Sequence, residues 1–323
     1  MKYYTCANTS SGFVDFTEEN IFDIDYKIQL ICNNGYVKSY VLGFLKGEGE
    51  KILSVGSKNL TDGIVLRDKS IAVVGSCRNA YKTVNLDQYF SFLDIEKINP
   101  IYENMFLCYG QAKEIHDEWE KIYISNMDFD RLNGFCDNTI KKLVTDKSME
   151  GTGKIYKRFF GTSTINGPVN YIDNITENLD KRYFIKGRPG TGKSTFLKKL
   201  SAELKNGGFD VEEYYCSFDK QSLDMVVSRE LLFCVFDSTA PHEKFPKMEN
   251  DEILDFYTEA GLSGVDEKYE RELFFIKSAY DNKIKEGMDW FKKAWKIKDE
   301  FDKENLSKID EREIRKVSKH IID

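Results

Sequence analysis

The apolar positions of the C-terminal half change period along the chain. A short apolar stretch over 182–186 ends in glycine, and 193–205 has helical spacing with Phe196, Leu197 and Leu200 on one face. Gly207-Gly208 stops that helix. FDVEEYYC (209–216) alternates and is rich in β-formers, so it predicts a strand. LLFCVF (231–236) is a continuous apolar run, the pattern of a strand buried on both faces of a parallel sheet. Strand, glycine-rich turn, helix, strand and buried strand is an α/β order. Past Pro246 the chain becomes charged and helical. Tyr269, Leu273, Ile276, Tyr280, Trp290, Ala294, Ile297 and Phe301 form an apolar stripe read as core-facing. The spacing predicts two long helices broken near 282–287, with one more over 304–323. The N-terminal half has a shorter helical version over 100–124.

The two halves echo each other. A shift of 155 residues puts Gly12 on Gly167, Val14 on Val169, Phe16 on Tyr171, Gly35 on Gly190, Lys38 on Lys193, Ser39 on Ser194 and Leu45 on Leu200. A shift of 162 puts Asp62 on Asp224, Arg67 on Arg229 and IAVVGS (71–76) on FCVFDS (233–238). A shift of 182 puts AKEIHDEWEK (112–121) on AWKIKDEFDK (294–303). The segments keep their order while the offset grows, which is the signature of a tandem duplication with insertions in the second copy. The expected domains are 1–150 and 158–323, with the polar, glycine-bearing segment 145–156 between them.

Composition narrows the setting. The chain has 323 residues, 41% hydrophobic, with a formal net charge of -7, enough for two domains and a real core. Nearly balanced charge gives no general affinity for nucleic acid or anionic membrane. No run approaches the roughly 20 apolar residues of a membrane span, and MKYYTCANTSSG lacks a secretory signal core. Seven cysteines, an odd number without CxxC spacing, fit reduced thiols, and three histidines leave little from which to build a zinc site. The expectation is a soluble cytoplasmic protein.

The turn after 182–186 carries the chemistry. Gly187-Arg188-Pro189-Gly190-Thr191-Gly192-Lys193-Ser194 fits GxxxxGK[ST] between a strand and a helix, with Thr195 following. Its glycines let backbone N–H groups converge on phosphate, and the helix N-terminus adds to that field. Lys193 is expected to reach the β- and γ-phosphates of ATP, and Ser194 to ligate Mg²⁺. Asp237, at the end of LLFCVF, is the expected metal carboxylate. Ser238 stands where many ATPases place glutamate, so Asp224, His242 and Glu243 are candidates for proton transfer. For Asp224 a turn cap is the competing reading, and its partner Asp62 favours a structural role.

The echo in the first half is damaged. Cys32-Asn33-Asn34-Gly35-Tyr36-Val37-Lys38-Ser39 replaces Gly187 by Cys32, Thr191 by Tyr36 and Gly192 by Val37, and Gly75 stands where the acid Asp237 should be. A stiff β-branched residue before the lysine keeps backbone away from phosphate. The first domain is therefore read as a pseudo-NTPase. Arg78, Arg67 or Arg188 could serve a neighbouring site as a positive group, although the repeat of Arg67 as Arg229 argues for structure.

NGPVNYIDNITENLDKRYFIKGRPGTGKSTFLKKL (166–200), SLDMVV (222–227) and FDSTAPHEKF (236–245) resemble a poorly characterised bacterial family of tandem P-loop ATPases. The resemblance covers essentially the whole chain. It implies an α/β fold of two P-loop NTPase-like domains with parallel sheets flanked by helices, each with a helical extension. It also implies ATP binding and hydrolysis, and no particular substrate. The family's first copy usually keeps an intact loop; Val37 and Gly75 depart from that. The motif positions carry over to Gly187, Gly190, Gly192, Lys193, Ser194, Thr195 and Asp237, with Asp224 and His242 matching positions of unassigned duty. Three functions follow: an ATPase driving a protein partner, a kinase for a small-molecule or nucleotide acceptor, or a nucleotide-gated scaffold.

Overall fold

The structure, a computed structural model, describes residues 1–45, 49–89, 95–144 and 148–307 together with 312, 315, 316, 318 and 321. In the first half the chain forms β1 (Lys2–Tyr3), a hairpin of β2 (Cys6–Thr9) and β3 (Gly12–Asp15), and α1 (Thr17–Ile21). It continues through β4 (Tyr26–Ile31), α2 (Gly35–Gly43), β5 (Glu50–Leu53), β6 (Thr61–Leu66), β7 (Ile71–Val74), β8 (Lys82–Asn85), α3 (Asn99–Ile124) and α4 (Phe129–Val144). The second half repeats the order with β9 (Ile155–Arg158), the hairpin β10 (Gly161–Thr164) and β11 (Gly167–Asn170), and α5 (Ile172–Ile175). It then forms β12 (Lys181–Lys186), α6 (Lys193–Asn206), β13 (Val211–Tyr215), β14 (Leu223–Ser228), β15 (Phe233–Asp237) and β16 (Glu252–Asp255). The short helices α7 (Phe256–Glu259) and α8 (Val265–Lys268) lead into α9 (Glu270–Leu306).

Each half builds a six-stranded sheet, β1-β5-β6-β7-β4-β8 and β9-β13-β14-β15-β12-β16, and the two orders correspond strand for strand. Even the register irregularity matches, falling at Ile52/Leu53 in one sheet and at Tyr214/Tyr215 in the other. The sheets are mixed rather than wholly parallel. β14 runs antiparallel to both β13 and β15, and the other pairings are parallel. The connections 216–222 and 229–232 are too short for the helical crossover that parallel neighbours require, so this part of the sheet turns back as hairpins. β9 starts at Ile155, so the second sheet begins inside the segment expected to link the halves.

The halves meet about a local twofold. Tyr4 N–H donates to the Phe159 carbonyl at 2.9 Å and Phe159 N–H to the Tyr4 carbonyl at 2.8 Å, a self-matching pair at equivalent repeat positions. Beside it lies Arg158, 1% exposed. Its guanidinium meets Glu50 of the first half at 3.2 Å and Glu212 of the second at 3.0 Å, and its Nε donates to Asn20 at 2.7 Å. Two acids and a side-chain amide therefore satisfy this buried cation. Arg67 and Arg229 support the two acids at 2.9 Å each, which is the structural role their repetition predicts.

The helical extensions are exchanged. α4 buries Leu132, Cys136, Ile140 and Leu143 against the second half, in one core with Phe196, Leu200, Ile185 and Phe256. The end of α9 crosses to α2 of the first half, and Ile321 packs there with Val37, Val41 and Leu42. α3 and α9 lie against each other along the way, with Met105, Tyr109 and Phe291 at the centre. The expected break near 282–287 does not occur: α9 is continuous through it. Gly287 is there for close approach. A Cβ on it would lie 2.6 Å from the Tyr109 ring, so the missing side chain lets the helices touch. Most of the helix expected over 304–323 falls outside the described residues; α9 itself ends at Leu306.

Candidate functional site

β12 delivers the chain to Gly187, and α6 begins at Lys193. Between them Gly190 and Gly192 take φ of +77° and +75°, a left-handed conformation that side chains resist. The loop folds inward. The Arg188 carbonyl accepts from Thr191 Oγ1 and from Lys193 Nζ, both at 2.8 Å. The Arg188 side chain turns outward instead, giving two N–H groups to Asp266 Oδ2 at 2.9 and 2.6 Å and lying 5.0 Å from the Tyr257 ring centre. It anchors the loop. Pro189 follows it, and Thr195 is exposed on α6.

β14 and β15 bring two carboxylates face to face. One step beyond the Met225–Phe236 pair, Asp224 stands opposite Asp237. Asp224 is buried on a strand, so the turn-cap reading of this residue is set aside. Burial, and then the charge of Asp237, push the Asp224 pKa up to about 8, while Lys193 pulls it down. Lys193 Nζ lies 3.6 Å from Asp237 Oδ2. The other oxygen, Asp237 Oδ1, accepts from the Thr239 hydroxyl at 2.7 Å and the Thr239 amide at 3.1 Å. Ser194 Oγ accepts from Leu223 N–H at 2.9 Å, which ties α6 to the strand carrying Asp224. Cys216 sits against Asp224 as a thiol whose pKa burial raises. The arrangement is an ammonium, a hydroxyl and two opposed acids at the mouth of a helix N-terminus. Two coupled carboxylates, one of them buried, retain a proton or take up a cation.

The loop after β15 closes the other side. Ser238 is buried, donating to the Lys244 carbonyl at 2.7 Å and accepting from its amide at 3.0 Å. Glu243 pairs with Lys186 at 3.2 Å. His242 sets its ring edge-on to Phe160, with centres 4.9 Å apart. Burial lowers its pKa to about 4 against the pull of Asp237, so the imidazole is neutral at pH 7. Its Nδ1 has no hydrogen-bond partner among the described residues.

The first half shows what the sequence changes do. α2 starts at Gly35, the repeat position of Gly190, so the positions that form a loop in the second half are wound into helix. Val37 replaces Gly192, and a β-branched residue resists the left-handed turn. Asn34 caps the helix, its Oδ1 accepting from Tyr36 and Val37 N–H at 3.1 Å each. Lys38 turns to Asp62 at 2.7 Å, because Gly75 offers no carboxylate. Burial opposes the Lys38 ammonium, but Asp62 outweighs it and holds the pKa above the usual lysine value. A cavity of about 220 Å³ remains over Lys38, Asp62 and Gly75. Arg78 follows β7, its backbone N–H held by the Glu18 carboxylate.

Two residues with no role in the sequence reading stand at the loops. Asp302, from the end of α9, accepts the Gly35 N–H at 3.0 Å through Oδ2 and pairs with Lys298 at 2.7 Å. Its repeat counterpart Glu120, from the end of α3, lies over the second half's loop. A Cβ on Gly190 would be 3.0 Å from the Glu120 carbonyl oxygen and 3.0 Å from Ile124. Burial raises the Glu120 pKa, with Lys113 and Lys193 among the charges that oppose the rise. The matched strings 112–121 and 294–303 contained this acid pair, but only the exchange of helices shows where each one lands. No family model, curated protein or solved structure matches the chain. No helix among the described residues is long and apolar enough to cross a membrane.

Proposed function

We propose that the second half binds a nucleoside triphosphate, ATP, with Mg²⁺ on the loop 187–194, and hydrolyses it at this single site. The observation that carries the reading is the left-handed glycine loop feeding α6, with Lys193 directed toward the opposed carboxylates Asp224 and Asp237. The N–H groups of 190–194 and the dipole of α6 favour the phosphates. Lys193 adds a full charge. Ser194, Asp237 and Asp224 are the oxygen donors that suit a hard divalent cation, and the raised pKa of Asp224 is the strain such a charge relieves. When bound, Mg²⁺ supplies charge neutralisation at the transferring phosphate. With Asp224 and Asp237 given to the cation, the neutral imidazole of His242 is the remaining candidate proton acceptor for water activation. The first half has neither the loop nor the second acid, and takes no triphosphate.

Calorimetric titration of the full chain with Mg-ATP, and phosphate release without an acceptor, test this. Binding and turnover are expected in the wild type and lost in Lys193→Ala. Binding without phosphate release favours the scaffold, a reading supported by Ser238, which is locked where a base would be useful. Turnover only with an added acceptor pool favours a kinase.

A further inference from the structure

The exchanged helices place one acid over each loop. In the first half the contact is a latch. The Asp302 carboxylate takes the Gly35 N–H at the start of the nine-residue α2, the position a phosphate oxygen takes at a helix N-terminus. Further bonds hold it there. Asn34 Nδ2 donates to the Asp302 carbonyl at 2.8 Å, and Lys298 Nζ reaches both the Asn33 carbonyl and Asp302 at 2.7 Å. Tyr36 OH donates to Asp299. Asp302 is 6% exposed.

In the second half the equivalent contact is loose. The Glu120 carbonyl oxygen and the Ile124 side chain lie 3.0 Å from where a Cβ on Gly190 would stand, and the Glu120 carboxylate lies 3.6 Å from His116 Nδ1. His116 is kept neutral by burial, so that contact has little ionic strength. Among the described residues, the end of α3 rests on the loop without a bond comparable to Asp302–Gly35.

We propose that these two contacts oppose each other through the α3–α9 pair: phosphate entering the second loop expels the end of α3, and the movement carries Asp302 off Gly35. The proposal rests on the nucleotide reading above. A triphosphate on the loop needs the space over Gly190, where the Glu120 carbonyl oxygen and Ile124 already lie 3.0 Å from the position of a Cβ, and its negative charge would face that carbonyl. α3 cannot yield alone. Its Tyr109 is packed on Gly287 at a distance that excludes a Cβ, its hydroxyl meets Met288 Sδ at 3.1 Å, and Met105 shares a core with Phe291. Side chains interlocked in this way shift as a unit. The far end of that unit is the Asp302 latch. The bistable element is thus the helix pair, with one arrangement favoured by Asp302 on Gly35 and the other by phosphate on Gly190.

Hydrogen exchange of the intact protein, read by mass spectrometry, follows the Gly35 amide directly. With a non-hydrolysable ATP analogue and Mg²⁺, amides of the segment 33–38 are expected to exchange at least ~5-fold faster, the lower end of ordinary coupling. Lys193→Ala is expected to abolish the change. Asp302→Asn, which weakens the latch without altering shape, is expected to tighten analogue binding at the distant loop by a similar ~5-fold, since coupling is reciprocal. If calorimetry shows binding while exchange at 33–38 and the affinity of Asp302→Asn stay at wild-type values, the link is refuted and the nucleotide reading survives. If the wild type binds no nucleotide, both fall.

Discussion

Asp224→Asn should make the protein more stable at alkaline pH. Asp224 ordinarily titrates near 3.8; burial, with the opposed Asp237 charge, raises it to about 8 in the native state. Between these values the native protein keeps a proton that the unfolded chain has released. Stability then falls as pH rises, because the slope follows the excess of protons bound by the unfolded state, which is negative here. The contribution is fully present below pH 3.8 and lost as pH climbs through 8. Each pKa unit corresponds to ~1.4 kcal/mol, so the scale of the loss is on the order of 5 kcal/mol. Lys193 and solvent entry offset part of it, and a gain of about 2 kcal/mol for Asp224→Asn at pH 8 is the expected outcome. Urea unfolding at intervals from pH 5 to 8.5 measures it. The wild type should lose stability across that range beyond any change in the variant, and added Mg²⁺ at pH 8 should restore more stability to the wild type. Parallel pH profiles for the two proteins would refute the facing-carboxylate account.

Other consequences can be checked in the same assays. Gly287→Ala should destabilise, because crowding against Tyr109 costs about 1–3 kcal/mol and outweighs the ~1 kcal/mol helix-propensity gain; a net rise in the urea midpoint would contradict the packing role. Arg158→Ala leaves Glu50 and Glu212 without their shared buried cation and should cost about 3–5 kcal/mol by urea unfolding, eased at acid pH where the carboxylates protonate. Lys193→Ala should remove Mg-ATP binding in calorimetry while leaving the unfolding midpoint within about 1 kcal/mol of wild type, since its contacts are one hydrogen bond and a partly screened ion pair.

Local pattern carried much of the fold. β12, α6, β13 and β15 were legible because each element has a clean period and the punctuation of Gly187, Gly190, Gly192 and Gly207-Gly208 lies between them. The correspondence of the two strand orders was legible from matched spacing, which holds where composition differs. β14 was missed altogether: LDMVVS is a short run buried at every position, with no alternation to mark it as a strand, and the brevity of 216–222 and 229–232 was the overlooked sign of hairpins. Gly287 was misread because a glycine within a helical stripe looks the same whether it breaks the helix or admits a neighbour; only the Tyr109 ring decides. Asp224 was legible as a residue type but not as half of a pair, because its partner comes from the next strand. Asp302 and Glu120 depend on contacts between the halves, separated by 267 residues in the case of Asp302 and Gly35. Strand and helix periodicity carries no information about such contacts.

The crossing of the C-terminal arms makes each half part of the other's core. α4 is encoded in the first half, yet it forms one wall of the core beneath the intact glycine loop. Were the N-terminal half removed, Phe196, Leu200 and Phe256 would lose that wall and meet water. The loop of the first half can therefore change its residues without loosening the second half, provided the arm it lends stays intact. In mechanical terms the first half is then masonry for the second: it lends the helix on which the opposite core rests.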